Sequence, residues 1–194
     1  MIKMTIGIVY FSNTDITGKL VRETANVIEE SGMSVFVYRI DGTEIIEGRF
    51  NKAIVFDQLE KCSAIIFASP TYMGGPAAQF KAFADATSPI YSNQGWNGKL
   101  AAGITSGSGL NGDQSSTLQY FVTLASQHGM SWLGLSSITS TNTELKINRL
   151  GCQLGVVAHS ETTLVNANDL QTAKHLGKRI VNHLQQKNEV KKLT

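Results

Sequence analysis

Three short segments carry residue types that can grip a charged, flat ligand. The first, Phe11-Ser12-Asn13-Thr14-Asp15-Ile16-Thr17-Gly18-Lys19, is rich in hydroxyls and runs straight into a helical pattern. Such a loop aims backbone N–H groups and the positive end of a helix dipole at one point, which suits a phosphate without a basic side chain. Read alone, Ser12, Thr14 and Thr17 serve equally well as helix caps. A nucleotide P-loop is excluded. Asn13 stands where its first glycine belongs, and Leu20 stands where its magnesium-binding hydroxyl belongs.

The second segment, Pro70-Thr71-Tyr72-Met73-Gly74-Gly75, joins an aromatic, a methionine and paired glycines. It can lay a flat face of backbone and side chain against a planar ring, or form a plain turn with Pro76 opening a helix. The third, Gly107-Ser108-Gly109-Leu110-Asn111-Gly112, matches the dinucleotide fingerprint G-x-G-x-x-G letter for letter. That fingerprint needs an acidic ribose ligand about 20 residues on. Residues 114–143 contain no Asp or Glu, so the glycines are left for another task. One phosphate loop and two glycine-rich ring loops together describe a planar mononucleotide.

The composition narrows the setting. At 194 residues the chain is expected to form a single domain, residues 1–194, with a core large enough to need no staples. Basic and acidic residues nearly balance, 17 against 15, and apart from the terminal run 187–192 no cationic tract could follow a phosphate backbone. Nucleic acid is therefore not expected as a partner. Cys62 and Cys152 lie far apart without a metal-ligand motif, so neither a disulfide nor a metal site is expected. No apolar stretch reaches about 18 residues. A cytoplasmic protein without membrane contact is the expectation.

The elements that must position the three loops are legible as alternating patterns. Apolar runs at 5–10, 34–38, 64–68 and 100–105, with a fifth at 130–135, read as strands buried on both faces. Helical periods at 18–30, 52–59, 79–86, 115–127 and 170–184 alternate with them. That order predicts an α/β fold with a parallel sheet and helices on both sides. In an open sheet of this kind, ligands bind beyond the carboxyl ends of the strands, where the strand order reverses. The segment 136–150, rich in Ser, Thr and Asn, reads as an insertion around the fifth strand, serving an oligomer interface or a cofactor rim.

The combination of Ser12, Thr14 and Thr17, then Pro70 to Gly75 with Gln79-Phe80-Lys81-Ala82-Phe83, then Gly98-Lys99-Leu100-Ala101 and the glycine loop, then His128-Gly129-Met130, resembles the flavodoxin-like FMN reductases. WrbA-type NAD(P)H:quinone oxidoreductases are the nearest pattern, and the resemblance spans residues 3 to about 184. It implies a flavodoxin-like three-layer sandwich around a five-stranded parallel sheet of order 2-1-3-4-5. It also implies FMN as cofactor, NAD(P)H as co-substrate, a quinone-like small acceptor, and a homodimer or homotetramer. The phosphate would sit on Ser12, Asn13, Thr14, Asp15, Ile16 and Thr17. The ring would lie along Pro70, Thr71, Tyr72, Met73, Gly74 and Gly75, its pyrimidine edge facing Thr105, Ser106, Gly107, Gly112 and Asp113.

Two residues are candidates for catalysis under this resemblance. The match places His128 near the pyrimidine edge, although a histidine just past a helix end also reads as a cap. Tyr72 either orients the acceptor through its hydroxyl or packs. Asp15 departs from the pattern, standing where such phosphate loops have glycine. Its carboxylate either faces the phosphate and repels it, or turns outward and caps the helix entered at Thr17. Tyr91 stands roughly where WrbA-type proteins place a tryptophan, and Asn148-Arg149-Leu150-Gly151 differs from them too, which suggests a sister group.

Three functions stay open: an FMN enzyme, a flavodoxin that passes single electrons, and a non-catalytic FMN-binding protein. Carrier flavodoxins dock through strong negative charge. A chain of net charge +2 lacks that steering device, which favours the enzyme.

Overall fold

The computed structural model describes residues 4–137 and 146–193. Four long parallel strands form the centre: β1 (Thr5–Tyr10), β2 (Ser34–Arg39), β3 (Ala64–Tyr72) and β4 (Leu100–Gly107). They lie side by side in the order β2-β1-β3-β4. Registers are continuous, with Ile6 opposite Val35 and Ala64, and Ala64 opposite Leu100. The fifth position is shared by two pieces. β5 (Ser131–Trp132) pairs with the start of β4, and β6 (Val156–His159) pairs with its end, Ile104 opposite Val156.

This refines the expected fifth strand. Of residues 130–135, Ser131 and Trp132 form the ladder, and the chain then leaves the sheet until Val156. Segment 136–150 thus falls in an excursion that interrupts the fifth strand, as an insertion there should. Residues 138–145 of it lie outside the described residues.

Period-two alternation decides which side chain faces which layer. Ile6, Ile8, Ala64, Ile66, Ala102 and Ile104 pack beneath α1 (Ile16–Glu30), together with Leu176 and Ile180 of α6 (Ala167–Leu193). Val9, Ile65, Phe67 and Ala101 face the opposite layer. There α2 (Ile54–Glu60), α3 (Ala78–Asp85), α4 (Ser88–Asn93) and α5 (Asp113–Gln127) contribute Leu59, Phe80, Phe83, Ile90 and Phe121. Phe67, Phe80 and Phe121 form an aromatic knot with centroids 4.8–6.1 Å apart. Burying each of these rings contributes on the order of 2–3 kcal/mol. β1, β3 and β4 are buried on both faces, as their apolar runs require, whereas β2 at the sheet edge is not: none of its residues is buried and Val37 is exposed, which corrects the expectation for 34–38. The short helix α4 has no counterpart among the expected helices. No helix of the described residues is long and apolar enough to cross a membrane.

From β1 the chain moves outward to β2, then jumps back past β1 to β3. The loops leaving β1 and β3 therefore diverge, and a crevice opens between them.

Candidate functional site

The crevice is a continuous cleft in two halves. The ring-side half, about 390 Å³, is lined by Thr71, Met73, Gly74, Gly107, Ser108, Gly109, Asn111, Asp113 and Gln114. The phosphate-side half, about 250 Å³, is lined by Thr14, Ile16, Pro70, Thr71, Tyr72, Ser106, Gly107, Ser108, Ser160, Glu161 and Thr162. Thr71, Gly107 and Ser108 belong to both halves.

In the first loop the backbone turns its donors outward. None of the amides of Asn13, Thr14, Asp15, Ile16 and Thr17 donates to a protein acceptor among the described residues. Ser12, buried, accepts from the Gly18 amide through Oγ at 3.3 Å. Arg39 donates to the Ser12 carbonyl at 2.8 Å, which turns that acceptor toward β2. Thr17 pairs its hydroxyl with Ser106 Oγ at 2.8 Å, tying the loop after β1 to the end of β4. Unpartnered amides with neighbouring hydroxyls at a helix N-terminus make an anion site. Asn13 is exposed at the lip.

Asp15 settles between the two expectations. It adopts left-handed backbone at φ 66°, the conformation that makes glycine the ordinary choice there. Its carboxylate makes no capping hydrogen bond. Instead it lies against the α-carbon of Gly18 and pairs with Arg22 at 2.6 Å. The Arg22 guanidinium holds its pKa below the ordinary carboxylate value. The outward turn is found; the capping is not.

The second loop is a tight hairpin. Tyr72 pairs with Gly75 and Thr71 with Pro76, while Met73 and Gly74 take φ of 49° and 76°. Two consecutive positive φ values mark a type I′ turn, whose twist suits a two-residue connection. The turn lifts Met73 fully into solvent, with Tyr72 half exposed beside it. Ser69, buried below, accepts from the Ala77 amide and fixes the hairpin's far end.

The glycine loop closes the ring side. Gly112, at φ 76°, precedes α5, and Asp113 stands in its first turn. Gln114, buried, donates to the Gly109 carbonyl at 2.6 Å. The amides of Ser108 to Gly112 have no protein acceptor among the described residues. Asn111 donates from Nδ2 to the Leu150 carbonyl at 2.6 Å, so the described end of the 136–150 excursion braces the cleft rim. Its Oδ1 is buried with no partner among the described residues.

His128 is not brought to this cleft. It ends α5, a 15-residue helix whose first residue lines the ring side; at 1.5 Å per residue that is about 22 Å away. It is buried, packs against Trp96 in a tilted arrangement with ring centroids 4.6 Å apart, and bonds Thr87 Oγ1 through Nε2 at 2.8 Å. The Thr87 hydroxyl already donates to the Ala84 carbonyl, so His128 donates from Nε2. Burial lowers its pKa. The assignment of His128 as a catalytic residue is thus corrected within one chain. Tyr91 stands exposed with its ring edge toward His128.

The sequence reading passed over Ser160, Glu161 and Thr162, because the four-residue β6 before them went unrecognised. Ser108, Gly109, Asn111 and Gln114 lay within or beside the quoted glycine run without being singled out. Arg39 carried no signal, since only the packing of β2 against β1 brings it to Ser12.

The donor set fits FMN. A phosphate matches the free amides and hydroxyls of the first loop. A pyrimidine edge, with an N–H between two carbonyls, matches an orphaned amide oxygen beside unpartnered backbone N–H groups. Fold and cleft together define a flavodoxin-like, FMN-dependent protein. The family description of the NADPH-dependent FMN reductases matches residues 4–143. The chain belongs to that family: it is an oxidoreductase that uses FMN with NAD(P)H as electron donor.

Its relatives carry two kinds of name. It is 34% identical to Flavodoxin FldP of Pseudomonas aeruginosa, covering 89% of this chain and 92% of that one. It is 30% identical to an NAD(P)H dehydrogenase (quinone) of Archaeoglobus fulgidus, covering 89% and 93%. Among solved structures, a flavodoxin, WrbA-like protein from Agrobacterium tumefaciens superposes with a TM-score of 0.75 at 34% identity, covering 95% of this chain and 99% of that one.

Proposed function

We propose that this chain, as a single FMN-binding domain, passes reducing equivalents from NAD(P)H to a quinone or a similar small, flat acceptor. The supporting observation is the lip of the ring-side cleft. Met73 lines this hollow fully exposed, Leu110 stands exposed between its lining residues Gly109 and Asn111, and Tyr72 lines the adjoining half, together an apolar frame for an aromatic acceptor. FMN, when bound, supplies reversible two-electron chemistry between donor and acceptor. The chain's residues bind and orient it. The first loop takes the phosphate, the hairpin from Pro70 to Gly75 backs the ring, and the unpartnered amides from Ser108 to Gly112 face electron density at the pyrimidine edge. Tyr72 is placed to contact the acceptor from the lip.

The Pseudomonas relative's name favours a second reading, a one-electron carrier. The net charge of +2 argues against it, since a carrier steers its partners by strong negative charge. Steady-state turnover of NADPH with benzoquinone separates the two: a single cleft serving both substrates in turn gives parallel double-reciprocal lines. A protein that binds FMN, oxidises no NAD(P)H and still passes electrons to a redox partner is a carrier. A colourless protein that ignores added FMN defeats both readings. We further propose a cytoplasmic homodimer or homotetramer, its mass to be measured by light scattering.

A further inference from the structure

Three hydroxyls meet where the two halves of the cleft join. Thr71 Oγ1 lies 2.8 Å from Thr105 Oγ1 and 2.7 Å from Thr117 Oγ1. Thr105 and Thr117 are fully buried, and neither hydroxyl has another hydrogen-bond partner among the described residues. A helical threonine commonly satisfies itself on the carbonyl four residues back, as Thr24, Thr123 and Thr172 do here. Thr117 reaches for Thr71 instead.

Counting hydrogens fixes the direction of every bond. Each hydroxyl owns one hydrogen and two lone pairs. If Thr71 donated to Thr105 or to Thr117, that neighbour's own hydrogen would be buried without an acceptor, a costly arrangement. All three are satisfied when Thr105 and Thr117 both donate to Thr71. Both Thr71 lone pairs are then filled, and its own hydrogen must find an acceptor elsewhere. Thr71 is half-buried and lines both halves of the cleft, so the hydrogen points to the ligand.

We propose that Thr71 is a hydroxyl donor to the bound flavin, and that Thr105 and Thr117 are positioning residues that hold it in the donor state. The proposal rests on the FMN reading above. A threonine free to rotate could accept as readily as donate; this one cannot. Two donors on its oxygen also polarise the hydroxyl and strengthen the bond it gives. Reduction adds electron density to the flavin, so a fixed donor favours the reduced form and raises the potential.

The test is a set of near-isosteric variants, read by FMN titration into apoprotein and by the midpoint potential of the bound flavin. Thr71→Val weakens FMN binding about fivefold, the loss of one hydrogen bond. It also shifts the potential negative, by about 30 mV if preference for the reduced form falls tenfold in the two-electron couple. Thr71→Ser restores both readings to within about twofold, since the hydroxyl returns. The double variant Thr105→Val with Thr117→Val keeps the Thr71 hydroxyl but frees it, and shifts the potential in the same direction by less. Wild-type affinity and potential in Thr71→Val, or a shift that Thr71→Ser does not reverse, overturns the inference while leaving FMN binding intact. Wild-type apoprotein that takes up no FMN overturns the cofactor reading and this inference with it.

Discussion

Arg22 holds Asp15 in a two-pronged ion pair, Nη2 to Oδ2 at 2.6 Å and Nη1 to Oδ1 at 3.1 Å, at the threshold of the phosphate loop. A bare carboxylate there would repel the FMN phosphate. The guanidinium neutralises it and draws it onto the flank of the first helical turn.

Asp15→Asn should tighten FMN binding modestly, by about twofold to fivefold at low salt, because it leaves the Arg22 guanidinium unpaired beside the loop, a gain of one positive charge. Arg22→Gln should weaken FMN roughly threefold to tenfold at low salt and less at high salt, as screening predicts. Adding Asp15→Asn to Arg22→Gln should recover most of the loss. FMN titrations at two ionic strengths decide this. Wild-type affinity in Arg22→Gln would mean that the ion pair does not shield the phosphate from the carboxylate.

Histidine 128 should make stability depend on pH on the acid side. The folded state keeps it neutral, its pKa held by burial below the ordinary 6.5. The unfolded chain takes up that proton near 6.5, so below this pH the unfolded state binds more protons and stability falls. The contribution is fully present above about pH 6.5 and is lost as pH drops toward the folded-state value. Thermal melts of wild type and His128→Gln between pH 7.5 and 5.5 should show a steeper acid decline in wild type. NADPH turnover at pH 7.5 should change less than twofold in a folded His128→Gln, since the residue stands about 22 Å from the ring-side cleft.

The buried carboxylate of Asp169 depends on Arg149. The pair is two-pronged at 2.7 and 2.8 Å, and Asp169 also accepts the His159 amide at 3.4 Å. Burial pushes the Asp169 pKa up, with Arg149 pulling against it. Arg149→Met should cost roughly 3 kcal/mol, because it strands a charge in the interior. The loss should shrink at lower pH as Asp169 takes up a proton, and Arg149→Met with Asp169→Asn should be milder than Arg149→Met alone. Urea unfolding at pH 7.5 and 5 measures both.

Gly155 tests the interrupted fifth strand. A Cβ at this position would stand 2.4 Å from the Gly103 carbonyl oxygen, which is backbone and cannot rotate aside. Gly155→Ala should therefore destabilise by about 2–3 kcal/mol and loosen β6 together with the Ser160–Thr162 edge of the cleft. Loss of stability with FMN affinity untouched would show that this edge contributes little to binding.

Much of this molecule is written locally. Residues 5–10, 64–68 and 100–105 carry no charge and are apolar but for Thr5 and Thr105 at the ends of their runs, because a parallel strand between two helical layers has no wet face. The hydroxyl loop, the Pro70–Gly75 turn and the glycine run could be read as ligand loops because each follows such a strand, and strand order alone sends all three to one end of the sheet. The rest depended on partners distant in sequence. The run 130–135 signals a fifth strand, but only the ladder to β4 limits it to Ser131 and Trp132, and Val156 to His159 become one only by finding the open edge of β4. The match put His128 beside the ring; packing of α5 along the sheet carries it to the other end. Asp15 could face the phosphate or leave it until Arg22, on the next turns of α1, claimed the carboxylate. Thr71, Thr105 and Thr117 come from a strand end, a second strand and a helix, and their hydrogens acquire a direction only when all three oxygens share one dry space. Periodicity is a property of neighbours in the chain, whereas the last hydrogen bond of a buried group belongs to whatever the fold brings within 3 Å.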